Sequence, residues 1–152
     1  MSAYQYYEFR AIDRPLTPQE QRAVAALSSR VEPHPRRAIF IYQWSDLPTS
    51  AEKLVARYYD AMLYLANWGS RRLIFRFPGH LVHPDAMQQY DVRRQDGELA
   101  DIVTVTQSED HVLLDMRLNE EEGFGWIEGE GQLDLLLPLR DEILARDYRV
   151  LY

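Results

Sequence analysis

Residues 119–131, Asn-Glu-Glu-Glu-Gly-Phe-Gly-Trp-Ile-Glu-Gly-Glu-Gly, place the strongest constraint on what this chain can fold into. The segment holds five glutamates, four of the seven glycines of the chain and two large aromatic residues. Its glycines make an ordered helix or strand costly in backbone entropy, whereas Phe124 and Trp126 are costly to leave in water. We therefore predict a loop whose aromatic residues either fold back onto the domain or contact a partner.

The composition indicates one globular domain and excludes several classes of chemistry. A chain of 152 residues that is 46% hydrophobic and 12% aromatic can bury its own core. The formal net charge of −7 argues against a nucleic-acid-binding module. Because there is no cysteine, disulfides, zinc–thiolate sites and cysteine nucleophiles are excluded. No signal peptide or membrane-spanning segment is recognisable in the sequence, so we expect a cytoplasmic protein without membrane contact.

Five segments have the residue patterns that are typical of β-strands. They are Tyr4–Ile12, Ala38–Trp44, Arg71–Phe77, Ile102–Thr106 and His111–Leu118. The second segment is apolar on both faces, which predicts a central strand. The last two segments flank a short polar turn and are predicted to form an antiparallel hairpin.

Two capping boxes, Thr17-Pro-Gln-Glu20 and Thr49-Ser-Ala-Glu52, predict the starts of two helices. We expect the first helix to run to about Arg30 and the second to end at Gly69, a residue suited to a helix C-terminus. Between Tyr58 and Trp68 nearly every position is apolar or aromatic. This part of the second helix is therefore predicted to be buried on more than one side, by the domain or by a partner.

A third helix is expected over Leu133–Arg146, with a kink or a break at Pro138. Together the elements predict an α+β fold, a two-layer sandwich in which a mixed sheet of about five strands carries about three helices mainly on one face. We expect residues 1–152 to form a single domain. The apolar end Val150-Leu-Tyr152 indicates that the native polypeptide continues beyond it or that this end docks.

Distinctive motifs along the chain are Tyr6-Tyr-Glu-Phe-Arg-Ala-Ile-Asp-Arg-Pro-Leu-Thr17, Tyr42-Gln-Trp-Ser-Asp46, Tyr58-Tyr-Asp-Ala-Met-Leu-Tyr-Leu-Ala-Asn-Trp-Gly-Ser-Arg-Arg-Leu73, His111-Val-Leu-Leu-Asp115 and Gly129-Glu-Gly131. With these motifs the chain resembles an uncharacterised group of bacterial proteins. The resemblance implies the N-terminal part of a longer chain, here truncated or shortened, and it brings no activity with it. Lys53, the only lysine among 17 basic residues, fits a GC-rich bacterial genome.

The leading hypothesis is a non-catalytic protein–protein interaction or scaffolding module. It depends on the apolar helix predicted over Tyr58–Trp68 and on the acidic loop 119–131. Aromatic residues dominate the energetics of interfaces, and glutamates steer a basic partner. The predicted partner-binding residues are Phe124, Trp126, Glu120, Glu121, Glu122, Tyr59 and Trp68. We expect a protein partner or self-association, and no cofactor.

The alternative hypothesis is a metal-dependent hydrolase or nuclease that uses His80, His83 and Asp85, with Asp115 as a further carboxylate. Two imidazoles and a carboxylate within six residues are ligands that zinc accepts. However, this spacing lies on a loop bounded by proline and glycine, and the sequence shows no second cluster of ligands. There is also no nucleophile elbow and no phosphate-binding loop, so no catalytic residue is assigned.

A third hypothesis is a small-molecule or nucleotide sensor built from the arginine pairs Arg36-Arg37, Arg71-Arg72 and Arg93-Arg94. The first two pairs precede predicted strands. If those strands are parallel neighbours, the pairs share one edge of the sheet and can bind phosphate or a carboxylate bidentately. The other interpretation is that these arginines balance the charge of an acidic surface.

Overall fold

Six strands and three helices make up the part of the chain that the structure, a computed structural model, describes. That part comprises residues 4–28, 34–42, 47, 49–67, 69–79, 102–108, 110–119 and 131–145. In chain order the elements are β1 (Gln5–Arg10), α1 (Pro18–Ala25), β2 (Arg37–Tyr42), α2 (Ala51–Arg57), β3 (Ala61–Ala66), β4 (Ser70–Pro78), β5 (Ile102–Gln107), β6 (His111–Asn119) and α3 (Gln132–Leu144). Within these ranges no helix is both long enough and apolar enough to cross a membrane.

The strands form one sheet in the order β2-β1-β3-β4-β6-β5, and each neighbouring pair is antiparallel. β1 lies between β2 and β3, so Tyr6 has Ile41 on one side and Leu65 on the other. The α+β class and the β5–β6 hairpin are therefore confirmed. The sheet has six strands and not about five, and the prediction of a mixed sheet is wrong.

Two clusters of buried side chains cover the two faces of the sheet. The first face is defined by the cluster that contains Tyr6, Leu63, Leu65, Phe75, Phe77, Val105 and Leu114. The second face is defined by the cluster that contains Phe9, Phe40, Met62, Ile74 and Leu113. α3 contributes Leu133 and Ile143 to the first face, whereas α1 and α2 contribute Val24, Leu54 and Val55 to the second face. The sheet is therefore apolar on both sides, because period-two alternation sends successive residues of one strand into different clusters.

The helix start at Thr17 is confirmed. The Thr17 hydroxyl accepts the N–H of Glu20, and the Glu20 carboxylate accepts the N–H of Thr17, which completes the capping box. α1 ends at Ala25, however, and not near Arg30. Val24 is buried in the second face.

The prediction that a helix continues from Tyr58 to Trp68 is wrong. α2 ends at Arg57, and residues 61–66 form β3, a strand between β1 and β4. Its even and odd positions enter different clusters, with Met62 on the second face and Leu63 on the first. A short run that is apolar throughout is typical of a fully buried strand as well as of a buried helix, and periodicity does not separate the two.

The other two helix starts also differ from the sequence pattern. The N-cap of α2 is Ser50, whose hydroxyl accepts the N–H of Lys53, and not Thr49. α3 begins after Gly131, which adopts a positive φ of 85° and provides no side-chain cap. α3 is a single helix that contains Pro138, so the predicted break into two short helices does not occur.

Candidate interaction edge and the charged end of the sheet

β2 is an edge strand, and no strand of the described chain pairs with its outer side. On its inner side it pairs with β1, from Arg37 opposite Arg10 to Tyr42 opposite Gln5. Apart from Arg37 every residue of β2 is apolar or aromatic, and Ile41 remains 44% exposed. The predicted central position is therefore wrong, because a strand with the composition of a central strand lies at the edge of this sheet.

The opposite edge of the sheet, β5, has a different surface. Val105 is buried in the first face, whereas Thr106 and Gln107 at the end of the strand are exposed. Polar residues on an edge strand lower its tendency to pair with another chain. β2, in contrast, combines an outer side on which no described strand pairs with an exposed large aliphatic side chain, Ile41.

Ring contacts on the second face hold β2 in place. Phe40, which is buried, meets Phe9 edge to face at a centroid distance of 5.8 Å, and Tyr42 meets Tyr7 in the same way at 6.1 Å. Burial raises the pKa of Tyr42, whose hydroxyl has no hydrogen-bond partner among the described residues. Edge-to-face pairs add to the stabilisation that burial provides. These ring contacts therefore attach β2 to β1 in addition to the backbone pairing of the two strands.

Asp60 organises one end of the sheet, where β1 and β4 finish and β3 begins. Its carboxylate accepts the backbone N–H groups of Ile12 and Asp13, at 2.6 and 2.9 Å, and a guanidinium N–H of Arg76 at 2.9 Å. Asp60 is only 2% exposed, so these bonds satisfy a carboxylate that would otherwise be costly to bury. The second terminal nitrogen of Arg76 donates to the carbonyl of Ala56 at the end of α2.

Arg140 of α3 reaches the same end of the sheet. Its guanidinium donates two hydrogen bonds to the carbonyl of Arg76 and two to the carboxylate of Asp13. It also lies 5.5 Å from the centre of the Phe77 ring. Arg140 is 1% exposed, and these contacts satisfy its charge in the interior.

A pocket of about 310 Å³ opens beside this charged cluster. It is lined by Asp13, Ala56, Asp60, Arg76, Pro78, Asp110 and His111. Burial, with the nearby charge of Arg76, lowers the pKa of His111, which favours the neutral imidazole. Two of the three carboxylates already bind arginines of the same chain. The described residues contain no group of three histidines and carboxylates that could hold a metal ion.

A second network of charges joins α2 to β4 and β6. Arg72 binds the carboxylate of Asp115 through two nitrogens, at 2.9 and 2.5 Å, and also donates to Glu52. Burial, the largest single influence, raises the pKa of Glu52, but the hydrogen bonds from Arg72 and from the Glu52 backbone, together with the charges of Arg72 and Arg117, outweigh it and the pKa is lowered. Both carboxylate oxygens of Asp115 therefore accept hydrogen bonds from Arg72, and they do not form an open site for a metal ion.

Of the predicted partner-binding residues, Tyr59 is the one that lies within the described part of the chain. Tyr59 is 1% exposed and packs 5.3 Å from the ring of Phe9, inside the core of its own chain. It offers no surface to a partner. The other predicted partner-binding residues, Phe124, Trp126, Glu120, Glu121, Glu122 and Trp68, lie outside the described residues, as do His80, His83 and Asp85 of the metal hypothesis.

The shared edge expected for the arginine pairs does not exist. β1 and β3 lie between β2 and β4, and the three successive antiparallel pairings make β2 and β4 antiparallel to each other. Arg37 at the start of β2 and Arg71 near the start of β4 are therefore at opposite ends of the sheet. Arg93 and Arg94 lie outside the described residues.

Ile41 is a surface residue that sequence reasoning missed, because nothing in Arg37–Tyr42 distinguishes an edge strand from a central one. Comparison of the chain with models of protein families, with curated proteins and with solved structures finds no match.

Proposed function

We propose that this chain is a protein-interaction module and that the outer edge of β2 is one of its contact surfaces. The observation that carries the proposal is the exposure of Ile41 on an edge strand whose other residues, apart from Arg37, are apolar or aromatic. No catalytic role is assigned to any residue.

The backbone of β2 supports the proposal. An edge strand presents unpaired N–H and C=O groups that an extended segment of another chain can pair with, as in recognition by strand addition. The ring contacts of Phe40 and Tyr42 hold these groups in the geometry of the sheet. Main-chain hydrogen bonds then contribute affinity, and the side chains beside them determine which partner fits.

The side chains of β2 define the chemistry of the partner. Ile41 lies on the first face, opposite Tyr6, and Ile39 packs against the same cluster. A partner strand with apolar residues at alternate positions would cover Ile41 and remove its surface from water. Arg37, at the start of the strand, tolerates a polar or acidic residue beside it.

The acidic loop remains a second, independent part of the proposal. Phe124 and Trp126 are proposed anchors for a partner, with Glu120, Glu121 and Glu122 steering basic groups towards them. If both aromatic residues are replaced by alanine and neither partner capture nor oligomeric state changes, this part of the proposal is wrong.

The test of the β2 edge compares Ile41→Arg with Thr106→Arg, a matched change on the other edge strand. Both positions are exposed, so we expect both variants to fold, as measured by circular dichroism and thermal unfolding. The wild type defines the partners, which are other proteins or further copies of this chain. We expect Ile41→Arg to bind them at least tenfold more weakly, and Thr106→Arg to bind them as the wild type does. Equal binding by the wild type and Ile41→Arg would contradict a contact at this edge.

A further inference from the structure

We infer that the occupant of the β2 edge is the β2 strand of a second copy of this chain, so that two copies share one continuous antiparallel sheet. This inference rests on the proposed function of the edge and names its partner. It follows from the pairing that two-fold symmetry imposes, from the absence of acidic residues in β2 and from the contrast with β5.

Two-fold pairing of β2 with itself matches apolar side chains throughout. Directly opposite residues of antiparallel strands point to the same face, so odd positions meet odd positions and even positions meet even ones. A two-fold axis at Phe40 places Ile39 opposite Ile41 of the second copy and Ala38 opposite Tyr42 of the second copy. Each Ile41 then gains an isoleucine neighbour, and Arg37 lies outside the paired block. An axis at Ile39 would instead place Arg37 opposite Ile41 of the second copy, so the first register is favoured.

The charge of β2 itself does not oppose this contact. Two copies that each carry a formal charge of −7 repel one another over most of their surfaces. β2 contains no acidic residue, and antiparallel pairing keeps the two Arg37 side chains at opposite ends of the contact. Because the net repulsion between the copies is screened by salt while an apolar contact is not, we expect added salt to strengthen the association.

The other edge explains why association stops at two copies. Pairing of β5 with another strand would cover the exposed, polar side chains of Thr106 and Gln107. One competent edge in each copy allows a closed two-fold pair, whereas two competent edges would allow open-ended growth.

The size of the contact limits its strength. A strand of six residues provides less buried area than the roughly 1,200–2,000 Å² of a typical stable interface. We therefore expect a reversible dimer that dissociates on dilution, with a dissociation constant on the order of micromolar.

Cysteine cross-linking tests both the contact and its register, since the natural chain has no cysteine. Proteins carrying Ile39→Cys and Ile41→Cys are prepared separately, then mixed and oxidised. In the proposed register the mixture forms a disulfide-linked dimer, at least fivefold more than either protein alone. Cross-linking of Ile39→Cys alone, as strongly as in the mixture, or the absence of any dimer from the mixture, would overturn the inference.

Sedimentation velocity separates failure of this inference from failure of the proposed function. We expect the wild type and Thr106→Arg to shift from monomer to dimer with rising concentration, and Ile41→Arg to remain monomeric. If Ile41→Arg does not fold, Ile41→Thr replaces it, because threonine keeps the strand preference while losing apolar surface. A wild type that stays monomeric at every concentration overturns the self-pairing. In that case the proposed function stands only if a different purified protein binds the wild type and binds Ile41→Arg more weakly.

Discussion

Arg140 and Asp13 are 127 residues apart in sequence, and their side chains are joined by two N–H···O hydrogen bonds of 3.2 and 2.9 Å. The same guanidinium donates to the carbonyl of Arg76 through Nε and Nη2, at 3.0 and 2.8 Å. One buried arginine therefore ties α3 to the end of β4 and to the loop that follows β1. This contact holds α3 over the first face of the sheet and is a second means of attachment beside the apolar cluster.

Replacement of Arg140 by alanine is expected to lower the free energy of unfolding by about 3 kcal/mol, because it removes hydrogen bonds to a charged group and leaves the Arg76 carbonyl without those donors. Urea unfolding at pH 7 measures the change. Asp13→Ala is the matched control and should cost less, about 1 kcal/mol, since the Asp13 side chain is 44% exposed and Arg140 keeps its bonds to Arg76. Equal losses for the two variants would contradict the central role given to Arg140.

The strands with clear alternation could be predicted from the sequence, and β3 could not. In Gln5–Arg10 and His111–Asn119 the residue types alternate, because neighbouring side chains of a strand face different surroundings. In Ala61–Ala66 both surroundings are apolar, so the pattern disappears and a buried helix fits equally well. Gly69 also favoured the wrong prediction of a helix, because a glycine with a positive φ occurs both at helix C-termini and in hairpin turns.

The candidate edge depends on information that no local pattern carries. Phe40 and Ile41 are neighbours in one strand, yet Phe40 is 1% exposed and Ile41 is 44% exposed. Phe40 packs against Phe9 of β1 and belongs to a buried cluster whose members are distant in sequence, and the position of β2 at the edge follows from which strands pair. The arginine pairs show the same limit, since their separation by β1 and β3 depends on strand order alone.

Gly69→Ala is expected to destabilise the β3–β4 hairpin. Gly69 has a φ of 109°, which side-chain-bearing residues rarely adopt, and its N–H donates to the carbonyl of Ala66 at 3.1 Å. Strain at such a position costs about 1–3 kcal/mol, which corresponds to a fall in the midpoint of thermal unfolding of roughly 3–10 °C. Differential scanning calorimetry measures this shift.

Gly79→Ala is the control for Gly69→Ala. Gly79 has no positive φ, and an added Cβ would lie 3.4 Å from the backbone of Asp110, so we expect a fall of at most about 2 °C. An equal or larger effect at Gly79 would show that the lack of space for an added Cβ, and not the backbone angle at Gly69, determines the response.

The stability of the protein in acid is expected to depend in part on Glu20. Two hydrogen bonds from Arg14, at 3.0 and 3.1 Å, lower the pKa of Glu20 from 4.5 to about 2, and the backbone N–H of Thr17 contributes to the shift. Because the pKa is lower in the folded state, the stabilising contribution is complete above about pH 4.5 and is lost as the pH falls towards 2. The Arg14 side chain is 61% exposed, so solvent screening keeps this contribution small.

Urea unfolding of the wild type and Glu20→Gln at intervals between pH 6 and pH 2.5 tests this dependence. We expect the wild type to be the more stable protein at pH 6, and the difference in free energy between the two to shrink as the pH falls below about 4.5, because Glu20 then binds a proton in the unfolded state first. Glu142→Gln, a change at an exposed glutamate of α3, is the matched control for removal of one negative charge. A difference that is constant with pH for Glu20→Gln, or equally pH-dependent for Glu142→Gln, would show that the bond to Arg14 is not what links acid stability to the start of α1.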